Sequence, residues 1–323
     1  FLKFKQPRIS EDNESLLETN WNRKKNVADP YLTLINEKQL NSKNEPIKLA
    51  IVGRPNVGKS TLINKLVGEK ITITSPIAQT TRNKLRGILT TDDTQIIFID
   101  TPGVHKPHHL LGEKLVKNAK SAINGVDLIL LIFDSNHKPG KGDEYIKNLL
   151  INNKSKCIVV LNKWDLVDNR DRFERVNQYK ELLNDYLISF QEVSALNGYG
   201  CNQLINKIKE FLPEGQPLYP KDTIVDQSFN VILSELIREQ VLLNTREEIP
   251  HSVAVKIEKV ENIKNKGKNI TAILAKVIVE RKSQKGILIG KGGSMLKIIG
   301  QAARMNMKNL IDGAIYLELF VKV

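Results

Sequence analysis

The chain carries two successive patterns of hydrophobic and polar residues. Between about residues 48 and 212, short apolar runs alternate with longer runs in which apolar residues recur every three or four positions. This alternation predicts an α/β domain with a mostly parallel sheet and helices on both faces. The predicted strands are "KLAIVG", "TQIIFID", "DLILLIFD", "KCIVVLN" and "SFQEVSA".

A different order of elements begins at residue 227. A long amphipathic helix, "FNVILSELIREQVLLNT", precedes two strands, "SVAVKIEKVEN" and "NITAILAKVIVER", which the turn-forming "IKNKGK" separates. Two helices around "GKGG" and a last strand, "AIYLELFVKV", complete the order α-β-β-α-α-β. This order predicts a small α+β domain over residues 227–323.

Two further segments lack this periodicity. Residues 1–47 are polar and mixed in charge, so we predict that they are mostly disordered, with a short helix near 30–40. Residues 213–226 contain the proline-rich string "PEGQPLYPKD" and are predicted to link the domain of residues 48–212 to the second domain.

Composition narrows the class of partner. The formal net charge of +13 indicates a polyanionic partner, either nucleic acid or an anionic membrane surface. The two cysteines form no CxxC pair, which favours neither a disulfide framework nor a zinc site and fits a reducing cytosol. The longest apolar run, "LILLIF" at 128–133, is too short to span a membrane, so we expect any membrane contact to be peripheral.

One loop of the first domain has a phosphate-binding pattern. The string "GRPNVGKS", residues 53–60, matches GxxxxGK[ST], follows a strand and opens a helix. Its glycines let backbone N–H groups face phosphate oxygens at the positive end of the helix. Lys59 is expected to reach the β- and γ-phosphates, and the Ser60 hydroxyl is expected to coordinate Mg²⁺. The predicted nucleotide contacts in this loop are Gly53, Asn56, Val57, Gly58, Lys59, Ser60 and Thr61.

Three more motifs follow strands of the same predicted sheet, at the edge where open α/β sheets bind ligands. In "DTPG", Asp100 is placed to bind Mg²⁺ through water, and the Gly103 N–H to meet a γ-phosphate. In "NKWD", the Asp165 carboxylate can accept both the N1–H and the exocyclic amine of guanine, an amine that adenine lacks at that place. Thr101 and Pro102 are also predicted to contact the nucleotide. Asn162 and Lys163 would brace the loop and cover the base. The backbone N–H groups of Ser194, Ala195 and Leu196 could bind guanine O6.

Together these motifs resemble the translation-factor-related class of P-loop GTPases. The resemblance implies GTP or GDP and Mg²⁺ as ligands, and a Mg²⁺-binding threonine in "QTTRN", residues 79–83. Either Thr80 or Thr81 fits, and we favour Thr81. Some relatives with an asparagine at the position of Asn56 hold K⁺ beside the phosphates, and Val104 replaces a water-orienting glutamine, which together imply slow, K⁺-stimulated hydrolysis. The predicted catalytic residues are Lys59, Thr81, Gly103 and Asn56.

A second glycine loop, "GKGG" at 290–293, has a different context. It lies between two predicted helices, which is the layout of a KH module whose GxxG loop clamps about four nucleotides of backbone. Residues 281–308 around it contain seven Lys or Arg and no Asp or Glu. A flexible helix–helix turn is the alternative interpretation, but the α-β-β-α-α-β order is that of a type II KH domain. The predicted RNA contacts are Gly290, Lys291, Gly292, Gly293, Lys285, Lys297 and Arg304.

A GTPase domain followed by a proline-rich linker and a type II KH domain resembles the bacterial Era family of GTPases over about residues 48–323. Strings beyond the motifs agree as well, among them "SPIAQTTRNKLRGI", "DTPGVHKP", "EEIPHSVAV" and "GILIGKGGSMLKIIGQAAR". The resemblance implies a GTP/GDP switch that binds the 3′ end of small-subunit ribosomal RNA and acts in assembly of the small subunit. It also implies that the protein is cytoplasmic and associates to some extent with the inner face of the membrane. We expect the protein to be monomeric.

Two features depart from the family pattern. The segment 1–47 is longer than the usual N-terminus, and the chain ends at "ELFVKV", where members usually continue with a basic or aromatic tail that helps to hold the RNA.

Two other functions fit parts of the sequence. One is a constitutive RNA-binding protein with a structural nucleotide, against which the intact Lys59, Ser60, Asp100 and Asp165 argue. The other is a peripheral membrane GTPase, against which the acid-free basic stretch argues, because it surrounds the GxxG loop rather than lying on an amphipathic helix with large aromatic residues.

Overall fold

The structure is a computed structural model of the chain, and it describes residues 48–75, 85–104, 110–124, 126–150, 155–183, 189–211, 215–246, 249–265, 268–308 and 310–323. The predictions for residues 1–47, including the helix near 30–40, lie outside the described residues. The described chain divides into two compact units between Gln227 and Ser228.

The first unit is built on a six-stranded sheet in the order β2-β3-β1-β4-β5-β6. Every neighbouring pair is parallel except β2 and β3, so the predicted mostly parallel α/β fold is confirmed. The strands are β1 (Lys48–Gly53), β2 (Leu85–Thr90), β3 (Gln95–Asp100), β4 (Leu128–Asp134), β5 (Lys156–Asn162) and β6 (Ser189–Glu192). The helices of this unit are α1 (Lys59–Val67), α2 (Leu110–Ile123), α3 (Lys141–Leu150), α4 (Arg172–Leu182) and α5 (Cys201–Lys209).

Buried apolar side chains cover both faces of this sheet. Alternate positions of the central strands, such as Val52 and Leu131, belong to a core cluster with residues of α2, α3 and α4. The intervening positions, such as Leu49 and Ile51, are also fully buried and point to the opposite face, where α1 packs on β1, β2 and β3. This two-sided burial explains why the strands are nearly continuous hydrophobic runs.

Strand β2 was not among the predicted strands. Arg86 and Gly87 interrupt its short apolar run, and the strand pairs antiparallel with β3 at the edge of the sheet. A Cβ on Gly87 would lie 2.6 Å from Cδ1 of Ile71, so a larger residue would have to displace that side chain. The strand therefore depends on its pairing with β3, which the local sequence does not predict.

The segment predicted as a linker packs along that edge strand. Gly87 forms an antiparallel bridge with Val225, and the Ile88 N–H donates to the Ile224 carbonyl over 2.9 Å. Asp226 accepts from Arg86 at 2.9 Å and from the Tyr219 hydroxyl at 2.8 Å. Residues 218–226 of this segment therefore pack on the edge of the first unit.

The second unit packs helices against a three-stranded sheet in the order β7-β8-β9. Strands β7 and β8 are antiparallel, and β8 and β9 are parallel, so the chain follows the predicted KH order. A short helix, α7, was not predicted. The elements are α6 (Phe229–Asn244), α7 (Ile249–Ser252), β7 (Ala254–Asn265), β8 (Lys268–Ile278), α8 (Lys282–Ile289), α9 (Ser294–Met307) and β9 (Ala314–Lys322).

Candidate functional site

The P-loop connects β1 to α1 in a conformation that depends on two left-handed residues. Asn56 has φ 63° and Gly58 has φ 94°. A Cβ on Gly58 would lie 2.3 Å from the Asn162 Nδ2, so only glycine fits at this position. The loop leads directly into the first turn of α1, whose N–H groups favour an anion.

The side chain of Lys59 folds back over this loop. Its Nζ donates to the carbonyl oxygens of Arg54, at 2.7 Å, and Gly53, at 3.2 Å. The lysine is buried, and burial lowers its pKa to about 8, although the nearby Asp100 acts in the opposite direction. An ammonium held above the loop in this way can meet phosphate oxygens bound to the same backbone.

The two predicted Mg²⁺ ligands of the described residues lie side by side. The Ser60 hydroxyl donates to Oδ2 of Asp100 over 2.9 Å, and Asp100 is fully buried. A hydroxyl and a carboxylate are hard oxygen ligands of the kind that Mg²⁺ prefers, so the pair fits that ion. Thr81 and its alternative Thr80 lie outside the described residues.

The DTPG motif packs directly against the P-loop. A Cβ on Gly103 would lie 2.7 Å from Cα of Pro55, and the Val104 N–H donates to the Gly53 carbonyl over 3.1 Å. The Thr101 hydroxyl donates to the Ile51 carbonyl over 2.6 Å. Thr101, Pro102 and Gly103 are buried, and so is Val104, whose side chain joins the core cluster. An apolar side chain held there has no hydrogen bond to offer a water molecule.

The NKWD motif is joined to the P-loop by Asn162. Its Nδ2 donates to the Val57 carbonyl over 2.7 Å, and its Oδ1 accepts from the Ala195 N–H over 2.9 Å. Lys163 has φ 62°, and its Nζ contacts Oδ2 of Asp134 at 2.6 Å. These contacts bring three separate loops together at one end of the sheet.

The remaining predicted base contacts lie on the same loops but are more accessible. Asp165 is exposed, and Ser194 and Ala195 are buried. Leu196 is 78% exposed. The Ser194 and Ala195 backbone is therefore fixed, while the carboxylate of Asp165 faces the solvent, where a base can reach it.

Two carboxylates beside the site, those of Asp143 and Asp134, were not predicted from the sequence. Arg54, within the P-loop, forms an ion pair with Asp143 of α3, with Nε and Oδ1 2.7 Å apart. Asp134, at the end of β4, holds Lys163. The motifs gave no signal for either carboxylate, because each is recognised only through a partner distant in the sequence.

The GKGG loop of the second unit is open on its outer side. Gly290, Gly292 and Gly293 have φ values of 73°, 61° and 81°, conformations that favour glycine. A Cβ on Gly290 would lie 2.8 Å from the Met295 N, whereas Cβ atoms on Gly292 and Gly293 would meet nothing within 4 Å. Gly290 therefore packs on α9, and the other two glycines leave space in which another backbone can approach.

Basic and apolar side chains surround this loop. Lys291 and Lys297 are exposed, and Lys285 and Arg304 are half-buried. Ile287, before the loop, is 54% exposed, and Ile298, after it, is 47% exposed. Of the other apolar residues flanking the loop, Leu288 and Ile299 are fully buried and belong to the core.

The described part of the chain lacks two features. None of its helices has both the length and the apolar character that crossing a membrane requires. Within the same residues, no group of three or more His, Cys, Asp or Glu side chains is arranged to hold a metal ion.

Comparisons with known families match each unit separately. The profile of a family described as "50S ribosome-binding GTPase" matches residues 48–163, and the profile of the KH domain matches residues 248–323. The first match contains the P-loop, the DTPG motif and the start of NKWD. The second contains the GKGG loop.

Whole-length relatives match both units at once. The chain is 53% identical over 276 residues to GTPase Era of Crocosphaera subtropica, covering 85% of this chain and 86% of that protein. It is 54% identical over 275 residues to GTPase Era of a Nostoc species, covering 85% and 83%.

Solved structures with the same arrangement of elements include Era in complex with MgGDPNP and nucleotides 1506–1542 of 16S ribosomal RNA. That match has a TM-score of 0.81 and 37% identity and covers 86% of this chain and 93% of that chain. A variant of Aquifex aeolicus Era bound to GDP and AlF₄⁻ matches with a TM-score of 0.80 and 36% identity, covering 87% and 94%.

Proposed function

Because the chain belongs to the Era family of GTPases, we propose that it is a GTP-dependent switch that binds the 3′ end of small-subunit ribosomal RNA. One observation carries the nucleotide half of this proposal. The hydrogen bonds of Asn162 and the Ser60–Asp100 contact hold four motif loops at the same end of one sheet.

Each motif then has a separate task. The P-loop backbone and Lys59 bind the phosphates, and Ser60, Asp100 and Thr81 hold Mg²⁺, which neutralises charge on the β- and γ-phosphates when it is bound. The Gly103 N–H binds the γ-phosphate. Asp165 selects guanine by a paired hydrogen bond, while Asn162 and Lys163 keep its loop in place.

Hydrolysis is proposed to be slow and to be stimulated by K⁺ near Asn56. Asn56 lies in the P-loop with a left-handed backbone, and the buried, apolar Val104 offers no substitute for a water-orienting amide. A cation beside the phosphates would add positive charge to that of Lys59.

The second unit is proposed to bind RNA at the GKGG loop. The open glycines, the exposed Lys291 and Lys297, and the half-buried Lys285 and Arg304 suit a sugar-phosphate backbone. The exposed Ile287 and Ile298 suit unstacked bases. The similar Era structure contains nucleotides 1506–1542 of 16S ribosomal RNA, which supports the 3′ end of the small-subunit RNA as the ligand.

From these properties we place the protein in assembly of the small ribosomal subunit. We further propose that it is a monomer in the cytoplasm, with peripheral association with the inner membrane face. Its net charge of +13 supports either polyanion, but the acid-free basic stretch around GKGG favours RNA.

A pair of variants tests the two halves independently. Lys59→Ala should abolish tight GTP binding and leave the RNA affinity of the nucleotide-free chain intact, while the double variant Lys291→Asp/Gly292→Asp should abolish RNA binding and leave GTP affinity in the absence of RNA intact. Lys322→Asp, which changes an exposed lysine of β9, is the control for lost positive charge. RNA binding that survives the double variant would refute the RNA-binding role of the GKGG loop, and unchanged GTP affinity in Lys59→Ala would refute the phosphate-binding role of Lys59. Binding of the double variant to anionic vesicles, measured alongside, tests the membrane alternative.

A further inference from the structure

We propose that Asp143 and Arg54 are positioning residues that fix the P-loop for phosphate binding. Arg54 is the first residue after the P-loop glycine at position 53, and no nucleotide motif includes its side chain. Its Nε lies 2.7 Å from Oδ1 of Asp143 on α3. The inference rests on the GTP binding proposed above and assigns it two additional residues.

The ion pair joins a partly exposed arginine to a fully buried carboxylate. Asp143 is 0% exposed and Arg54 is 31% exposed. The second carboxylate oxygen of Asp143 accepts from the Gly140 N–H over 2.9 Å, which fixes the direction of the carboxylate. Because a buried carboxylate is costly to leave unpaired, the Arg54 side chain should strongly prefer the conformation that pairs with Asp143.

The route of the Arg54 side chain also depends on α3. A Cβ on Gly142 would lie only 2.7 Å from Cδ of Arg54, so the glycine makes the space through which the side chain reaches Asp143. Two consecutive residues of α3 therefore serve the same arginine. One supplies space and the other supplies charge.

The main chain of Arg54 connects this pair to phosphate chemistry. Its carbonyl oxygen accepts from the Nζ of Lys59 at 2.7 Å. The next residue, Pro55, packs on Gly103, whose N–H is proposed to meet the γ-phosphate. A shift of Arg54 would move the anchor of Lys59 and the residue that packs on Gly103, and small misplacements at such sites have large effects.

Phosphate binding and base binding should respond differently if this inference is correct. The pair holds the P-loop, whereas Asp165 and the backbone of Ser194 and Ala195 bind the base from other strands. Breaking the pair should weaken binding of GDP more than binding of GMP, which lacks the β-phosphate. A general loss of fold would weaken both nucleotides together.

Two variants test the pair by different routes. Asp143→Asn removes the charge, and Gly142→Ala displaces Arg54 while keeping every charge and raising helix propensity. We expect each to bind GDP about tenfold more weakly and to change GMP binding and the preference for GTP over ITP by less than twofold. Displacement of a fluorescent GDP analogue from the full chain measures these affinities.

Controls separate this inference from the proposed function. Glu174→Gln removes the same charge from an exposed pair with Lys138, at 3.9 Å, and should leave GDP affinity unchanged. A wild-type chain that binds no GDP would refute the proposed function itself. A folded Gly142→Ala with wild-type affinity for GDP and GMP would refute the positioning role alone, even if Asp143→Asn failed to fold.

Discussion

Asn162 hydrogen-bonds through its side chain to the carbonyl of Val57, with the two atoms 2.7 Å apart, although one residue ends β5 and the other lies in the P-loop. The same side chain accepts from the N–H of Ala195 at 2.9 Å. One amide therefore joins the loop proposed to bind the phosphates to the loops proposed to bind the base.

Replacing this amide should weaken folding and binding together. In Asn162→Ala, a buried carbonyl and a buried N–H lose their partners, which costs about 1–3 kcal/mol of unfolding free energy for each unsatisfied group. GDP affinity should fall as well, because the loops are no longer held in register. Chemical denaturation and nucleotide titration measure the two effects, with the exposed Asn202→Ala as control. Wild-type values for both quantities would show that the bridge is dispensable.

The identity of the base should depend on Asp165. In Asp165→Asn, the side chain can no longer accept two hydrogen bonds from guanine, and its amide suits the carbonyl of xanthine instead. We expect GTP affinity to fall by about 10- to 100-fold, as for loss of hydrogen bonds to a charged group, and XTP affinity to rise. Retained preference for GTP in competition binding would contradict the role assigned to Asp165.

Nucleotide binding should be linked to proton uptake at Lys59. Burial lowers the pKa of this lysine to about 8, so it is largely neutral above that pH in the free protein. Phosphate charges favour the ammonium and raise the pKa again, so a proton must be taken up between about pH 8 and 10. Calorimetry in buffers of different ionisation enthalpy should detect this uptake at pH 8.5 and not at pH 7. Equal uptake at the two values, or none at 8.5, would contradict the shift.

The same shift has a consequence for stability without nucleotide. The folded pKa of Lys59 lies below its value of 10.5 in the unfolded chain, so burying the ammonium opposes folding at neutral pH. Between the two pKa values the unfolded state binds more protons, and this contribution to stability therefore rises with pH. Lys59→Met should remove that rise, which denaturation between pH 7.5 and 9.5 can follow.

Cation dependence tests the role of Asn56. If a cation beside the phosphates supplies positive charge, GTP hydrolysis should be faster in KCl than in NaCl at equal ionic strength. Asn56→Asp and Asn56→Ala should reduce this difference while preserving measurable GDP binding. Equal steady-state rates of the wild-type chain in the two salts would refute the K⁺ proposal.

Periodicity and motifs were enough to predict the fold of both units. The continuous apolar runs of β1, β3, β4 and β5 are buried on both faces, and the P-loop, DTPG and NKWD motifs each follow such a strand. Strand β2 was not predicted because its two non-apolar residues make their contacts in the tertiary structure. Gly87 packs against Ile71, and Arg86 donates to Asp226. The Arg54–Asp143 pair was not predicted for the same reason, since Arg54 occupies an unspecified position of the P-loop pattern and Asp143 belongs to no motif. Local patterns therefore predict which residues contact the ligand. The residues that hold those contacts in position are recognised only in the structure.

The central claim is that the two glycine loops act as one switch. The most direct measurement is GTP hydrolysis by the full chain in KCl, with and without a single-stranded RNA from the 3′ end of small-subunit ribosomal RNA. RNA affinity is measured in parallel with GDP and with a non-hydrolysable GTP analogue. We predict that the RNA raises the hydrolysis rate and that the GTP analogue raises RNA affinity. A hydrolysis rate that RNA does not change, together with an RNA affinity that does not depend on the nucleotide, would contradict this proposal.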